Sequence, residues 1–301
     1  MSATAVLVNP AAGGGRAGRV WEALRATAEA TAPVKVLVPD GPSASRRAVA
    51  DALDAGCERI VAVGGDGTAH LVANAVLGRD GAATMGIVPA GTGSDLARAL
   101  GVPRDPAAAL RQAVLDPPIA VDAGRCAGPA GGFAFVNIAS AGIGGLVSEA
   151  VNAVPDRGPT SFISATLAAL RRYRCAPVRV TLDGQAWFEG PLLILAVANG
   201  TTFGKGMRVA PHARPDDGWF DVVAVGEVPG WELALRLPQL YLGRHLGARP
   251  VRHARARQVG LEPLAPLPPL EADGETYPSG AVTFTIAPAA LRIAAARLRG
   301  A

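Results

Sequence analysis

Three glycine-rich turns carry the residues whose types and spacing suit chemistry on a phosphate. They run Asn9-Pro10-Ala11-Ala12-Gly13-Gly14-Gly15-Arg16, Gly64-Gly65-Asp66-Gly67-Thr68 and Pro89-Ala90-Gly91-Thr92-Gly93-Ser94-Asp95-Leu96-Ala97-Arg98. Glycine lets backbone N–H groups approach a phosphate without a side-chain clash, and a helix starting just beyond the turn offers its positive end to the same anion. A carboxylate beside a polyphosphate is repulsive unless a cation bridges them, so Asp66 argues for Mg²⁺ carried with a nucleotide. Thr92 can donate to phosphate. Asp95 opens a helix and reads equally well as its N-cap. Two Gly–Asp turns at consecutive strand ends favour one shared site over two unrelated caps.

The first turn also spells GxGxxG, as Gly13, Gly15 and Gly18, with Asp40 where a ribose-binding acid would sit. That is a dinucleotide reading, and on these residues alone it stays open. The turn is not a Walker A loop, because Gly18 is followed by Arg19 and Val20 rather than by Lys and Ser or Thr.

The elements that must hold these turns alternate in type. Strands are expected at Ala5–Asn9, Val34–Val38, Arg59–Val63 and Met85–Val88, with helices at Val20–Ala30, Ser45–Ala55, Ala69–Leu77 and from Asp95 to Leu100. This alternation implies a mostly parallel sheet covered on both faces, whose glycine-rich turns gather at the C-terminal strand ends, where ligands bind. After about Val121 the pattern changes. Phe133–Ile138, Val178–Leu182, Leu192–Ala198, Asp221–Val225 and Val282–Ile286 read as strands, several beside Asp-Gly turns that signal hairpins. Helical patterns interrupt them at Leu146–Val154, Ser161–Tyr173 and Trp231–Leu242, and the basic, then proline-rich Arg249–Pro269 reads as a loop. The expected architecture is an α/β domain followed by an antiparallel β domain.

Composition bounds the partners. Of 301 residues half are hydrophobic and 18% charged, which suits a globular chain with a sizeable core. The net charge of +4 allows anionic surfaces or phosphorylated ligands without choosing among them. Cys57, Cys126 and Cys175 are widely spaced and form no zinc pattern, which fits a reduced, cytoplasmic setting. No run of about 18 uninterrupted apolar residues is present and the N-terminus makes a poor signal peptide, so the chain is expected to be soluble or peripheral at a membrane.

The set NPAAGGGR, VGGDGT and PAGTGSDLAR, in this order, resembles the diacylglycerol kinase catalytic domain shared by bacterial soluble lipid kinases and by sphingosine and ceramide kinases. The resemblance continues through Val121-Asp122-Ala123-Gly124, Pro215-Asp216-Asp217-Gly218-Trp219-Phe220-Asp221 and Ala272-Asp273-Gly274-Glu275, and so covers most of the chain. It implies a Rossmann-like nucleotide-binding domain at residues 1–124, a β-sandwich at 125–287, an ATP cleft between them and a final segment, 288–301, that returns to the first domain. It implies nucleotide contacts from Asn9, Pro10, Ala11, Ala12, Gly13, Gly64, Gly65, Asp66, Gly67, Thr68 and Thr92, with Asp66 and Asp95 at the reacting phosphates. It implies Glu275 as acceptor of the lipid hydroxyl proton, and a second Mg²⁺ at Asp217 with the carbonyls of Arg214 and Trp219, connected to the centre through Asp122. Two positions depart from the family pattern: Ser94 stands in place of Asn, and Pro39 in place of Thr.

The activity implied is ATP-dependent phosphorylation of the hydroxyl of diacylglycerol or a related lipid, with Arg16 available to neutralise charge on the transferring group. Partners implied are ATP, Mg²⁺ and a lipid, with no nucleic acid; a homodimer is compatible. Anionic membrane contact would come from Arg171, Arg172 and Arg174, or from the basic stretch between Arg244 and Arg257. The competing expectations are an NAD kinase with a soluble acceptor, a nucleotide-dependent oxidoreductase and a non-catalytic binding module.

Overall fold

A computed structural model describes residues 3–129, 131–152, 166 and 168–296. The end of the helix expected at Leu146–Val154 and most of the first half of Ser161–Tyr173 lie outside the described residues. The chain forms two compact units, residues 1–122 with 289–301, and residues 123–288.

The first unit is built on β1 (Thr4–Val8), α1 (Arg16–Thr31), β2 (Val34–Leu37), α2 (Gly41–Asp54), β3 (Arg59–Gly64), α3 (Asp66–Leu77), β4 (Thr84–Pro89), α4 (Asp95–Ala99) and α5 (Pro106–Leu115). β1 is buried along its whole length and β3 along nearly all of it, which is why both read as unbroken apolar runs and not as alternating ones. The strands pair in parallel in the order β2-β1-β3-β4. The order therefore reverses at β1, and the crevice at the carboxyl ends of β1 and β3 is the topological switch point, where open parallel sheets bind ligands. α1 buries Ala17, Trp21, Leu24 and Ala28, one face of a regular helix. α5 was not anticipated, although its start signal is present: the Asp105 carboxylate accepts from the Ala108 N–H at 2.8 Å, and Pro106 follows it at the first helical position.

The second unit holds β6 (Gly131–Phe135), β7 (Ile138–Gly142), α6 (Ile143–Asn152), β8 (Ala176–Leu182), β9 (Gln185–Ala198), β10 (Phe220–Gly226), α7 (Gly230–Leu242), β11 (Val251–Ala256), β12 (Gln258–Pro263), β13 (Leu270–Ala272) and β14 (Glu275–Tyr277). Two further strands, β5 (Pro118–Gly128) and β15 (Val282–Ala294), run across the boundary between the units. Pairing within this unit is antiparallel. β9 pairs with β8 through its first half, and its second half lies between β7 and β10. The core is apolar and aromatic: Phe135 stacks on Phe220 with centroids 5.7 Å apart and meets Phe284 edge-on. The last part of β15 belongs to the first unit, where Arg292 and Ile293 pair in parallel with Thr84 and Met85 of β4. Asp122 accepts from the Ala289 N–H at 2.7 Å, and Gln112 donates to the Ala294 carbonyl, so this returning strand is held at both ends.

Three sequence expectations are corrected. The strand expected at Phe133–Ile138 is two strands, broken at Val136–Asn137, where the backbone donates to a side chain instead of a ladder. The loop expected over Arg249–Pro269 contains β11 and β12; its arginines alternate with small apolar residues, and their stems lie along the surface, as when the Arg252 guanidinium sits 5.7 Å from the Phe188 ring centroid. β9 extends well before Leu192, because Asp183 and Gly184, both at positive φ, close a tight hairpin from β8.

His245, just past α7, is buried and donates from Nε2 to the Val209 carbonyl at 3.0 Å. Burial, aided by nearby His253 and opposed by the Val209 bond, lowers its pKa below the ordinary histidine value. The unfolded chain therefore binds the extra proton first as pH falls, and stability is lost below the unfolded value of about 6.5. Thermal midpoints measured from pH 7.5 to 5.5 should fall, and His245→Gln should flatten that slope; an equal slope in both proteins would remove His245 as its cause.

Candidate active site

At the switch point the three glycine turns touch backbone to backbone. Gly13, Gly14 and Gly15 all have φ between 62° and 84°, a conformation that only glycine adopts in succession at little cost. A Cβ on Gly13 would lie 2.6 Å from the Ala90 carbonyl oxygen, and one on Gly91 would collide with the Cα of Gly65. Ala90 and Gly91 both donate their N–H to the Gly64 carbonyl, at 2.8 and 3.1 Å, which ties the second turn to the third. The first turn is tied to the second by Asn9, whose Nδ2 donates to Thr68 Oγ1 at 3.2 Å. Asn9, Pro10, Ala11, Arg16 and Thr92 are exposed, Ala12, Gly13, Gly65, Asp66 and Gly67 half-buried, and Gly64, Thr68 and Asp95 buried. Arg16 begins α1 and Asp66 begins α3, so two helix N-termini open beside these turns.

The two acidic side chains converge on Gly93. A Cβ there would be 2.9 Å from Asp66 Oδ2 and 3.6 Å from Asp95 Oδ2. Asp66 also accepts the Leu96 N–H on Oδ1 at 3.2 Å, at the start of α4. Asp95 is 6% exposed and paired with Arg98, which also donates to the Gly93 carbonyl. Two carboxylates this close repel unless cations or N–H dipoles face them. Two hard oxygen donors beside an anion cradle are the donor set that Mg²⁺ takes from a protein when phosphates complete its shell. These residues fit the group. Ser94, at the position that departs from the family pattern, has φ 54° and caps α4 without a side-chain bond.

In the second unit, Glu275 is exposed at the start of β14, on a hairpin with β13 whose turn residues Asp273 and Gly274 have φ of 51° and 93°. The sequence presents Asp273 as a turn residue, as Asp-Gly suggests. The structure shows more: its buried carboxylate accepts the N–H groups of Val136, Asn137 and Ile138 at 2.8, 3.0 and 3.1 Å. Glu271, also buried, accepts from Ser140 Oγ at 2.7 Å and from the Gly274 N–H at 2.8 Å. Neither role was legible in the sequence, because every donor except the neighbouring Gly274 N–H lies more than 130 residues away.

At the motif expected to hold a second cation, Asp217 is already engaged. Its Oδ1 accepts the Trp219 N–H at 3.1 Å and its Oδ2 pairs with Arg255, which lies 3.8 Å from the buried Asp221. Arg255 and Arg257 both lie over the Trp219 ring, and Arg214 pairs with Asp216. Arg255 stands on Asp217 as Arg98 stands on Asp95, so a cation at either carboxylate would share it with an arginine. Among the described residues no cluster of three or more His, Cys, Asp or Glu side chains is placed to hold a metal.

Residues 3–126 match the diacylglycerol kinase catalytic domain, and residues 137–295 match the YegS C-terminal NAD kinase beta sandwich-like domain. A protein of Pseudomonas aeruginosa named "probable lipid kinase YegS-like" is 35% identical over 268 residues, 86% of this chain and 83% of that one. A diacylglycerol kinase of Mycobacterium tuberculosis is 29% identical, covering 83% and 80% of the two chains. The crystal structure of a diacylglycerol kinase from Bacillus anthracis superposes with a TM-score of 0.75 at 19% identity, over 98% of this chain and 97% of that one, a likeness of fold. The two matched domains define the class, a kinase built of an α/β unit and a β-sandwich-like unit. The chain belongs to the YegS-like and diacylglycerol kinase family of lipid kinases. Gly18 inside α1 against Pro10 and Asp40 just before α2 lie where a dinucleotide fingerprint would put them, and it is the family match that displaces the oxidoreductase reading.

Gly91→Ala should force the second and third turns apart and lower unfolding free energy by about 1–3 kcal/mol, as overpacking does. Chemical denaturation checks this; an unchanged midpoint would mean that the turns are not held at this spacing.

Proposed function

We propose that this protein is an ATP-dependent lipid kinase whose acceptor is the hydroxyl of diacylglycerol or a closely related lipid. The observation that carries the reading is the convergence of Asp66 and Asp95 on Gly93, beside glycine turns packed too tightly to admit side chains. In this reading the loops Asn9–Gly13 and Gly65–Thr68 hold the triphosphate, with Pro10 and Ala11 exposed, Ala12 half-buried and Thr92 alongside. Asp66 and Asp95 would hold Mg²⁺ carried with the nucleotide, and the ion would supply charge neutralisation for the phosphates. Arg16 faces the same anion from the start of α1.

The acceptor oxygen forms a bond to the γ-phosphorus as the bond from that phosphorus to the β,γ-bridging oxygen breaks, and ADP leaves with the electron pair. The hydroxyl proton passes to the Glu275 carboxylate, which is exposed and therefore reachable by an acceptor. A second cation at Asp217 with the carbonyls of Arg214 and Trp219 is given no step in this transfer.

The lipid need not be reached through a spanning segment, and no helix among the described residues is long and apolar enough to cross a membrane. At the end of α7, Tyr241 and Leu242 are 42% and 60% exposed beside Arg244, an apolar edge next to a cation that suits an anionic lipid surface. Docking there would serve a cytoplasmic enzyme meeting its substrate at the membrane.

The test is transfer of radiolabel from ATP to a panel of lipids carrying a free hydroxyl, with products resolved by chromatography. Glu275→Gln should lower kcat by about 10²–10⁴-fold at an unchanged KM for ATP, the usual range for loss of a general base. Asp66→Asn should abolish transfer. Wild-type turnover by Glu275→Gln would remove the base, and failure of every lipid to accept label would remove the activity.

A further inference from the structure

The unit that carries Glu275 spends two buried carboxylates on holding one short hairpin. Asp273 is 7% exposed and takes three successive backbone N–H groups, those of Val136, Asn137 and Ile138. The Asp273 N–H in turn donates to the Ile138 carbonyl at 3.1 Å. Glu271, also 7% exposed, joins Ser140 on β7 to the Gly274 N–H inside the turn. Ser148 on α6 donates to the Gly274 carbonyl at 3.1 Å, so the turn is gripped from a third element. The break between β6 and β7 falls where the N–H groups turn toward Asp273.

The donors are themselves fixed. Asn199 Nδ2 donates to the Val136 carbonyl at 2.7 Å, and the N–H groups of Asn199 and Gly200 both donate to the Asn137 carbonyl at 2.9 Å. Asn137 Nδ2 donates to the Thr202 carbonyl at 2.8 Å. Asp-Gly at positive φ already closes the two-residue turn locally, and the three N–H groups gathered on the Asp273 carboxylate go beyond turn closure. Burying charge also costs several kcal/mol before its partners repay it. What the arrangement does achieve is a fixed turn directly before Glu275, whose side chain is exposed, because Asp273 and the Gly274 N–H cannot shift without breaking charge-assisted bonds.

We propose that Asp273 is a positioning residue that sets the orientation of Glu275 for proton transfer, with Glu271 and Ser148 as its supports. The proposal rests on Glu275 being the base. An amide at position 273 loses an acceptor oxygen and points N–H at N–H, so Asp273→Asn should release the turn. A displacement of about 1 Å at a reacting group can cost about 10²-fold in rate, and kcat should fall by that order while KM for ATP stays constant.

The decisive measurement is a double-mutant cycle on kcat in the radiolabel assay, with Asp273→Asn, Glu275→Gln and both together. A residue acting through Glu275 should cost nothing further once Glu275 is gone. Full additivity of the two losses, or an unchanged kcat in Asp273→Asn, would overturn the proposal. Wild-type kcat in Glu275→Gln would overturn the base assignment instead, and with it this inference. Should Asp273→Asn not fold, Ser148→Ala takes its place in the same cycle. It should lower kcat by several-fold only when Glu275 is present, and equal losses with and without Glu275 would count against positioning.

Discussion

At the strand ends of the first unit the third glycine turn lies backbone against backbone on the first at Gly13 and on the second at Gly65. Everything the site does depends on that close approach. An anion can be held by peptide N–H groups from several loops only if those loops stand within a few ångströms of each other. A single methyl at Gly91 or Gly13 would remove the spacing. The spacing also brings Asp66 and Asp95 toward Gly93, because Asp66 begins the helix after one turn and Asp95 the helix after the other. A repulsive pair of carboxylates follows from the same geometry that makes the cradle. The charge is then met locally, by Arg98 on one side and the Leu96 N–H on the other.

The second unit solves a different problem with the same groups. There, peptide N–H groups bind a side chain of the protein itself. The N–H groups of residues 136–138 close on the Asp273 carboxylate, and the strand is interrupted to allow it. One unit packs its glycine turns around Asp66 and Asp95, and the other closes its N–H groups on a carboxylate of its own. The first arrangement suits a ligand that comes and goes, the second a residue that must not move.

Much of this was legible in the sequence. The alternating elements of the first unit, the glycine turns and the hairpin at Asp273-Gly274 all rest on local rules, namely strand burial, helix starts and positive φ at glycine. What escaped reading were features set by distant partners. Arg249–Pro269 reads as a loop because it is basic and then proline-rich, yet β11 and β12 take their pairing from β10, β8 and β15. The engagement of Asp217 by Arg255 and of Asp273 by residues 136–138 depends on contacts between elements that no local pattern marks. Exposure of Glu275 is likewise a property of the assembled hairpin and not of its four letters.

The returning strand has a consequence for how the molecule is made. β4 receives its outer neighbour from the far end of the chain, and Gln112 meets Ala294 across 182 residues of sequence. On the ribosome the nucleotide-side sheet must wait with one flank bare until all of the sandwich has emerged. Such a naked edge is a template for mispairing. The order of synthesis thus leaves the N-terminal half exposed to rescue or misadventure for as long as translation of the remainder lasts.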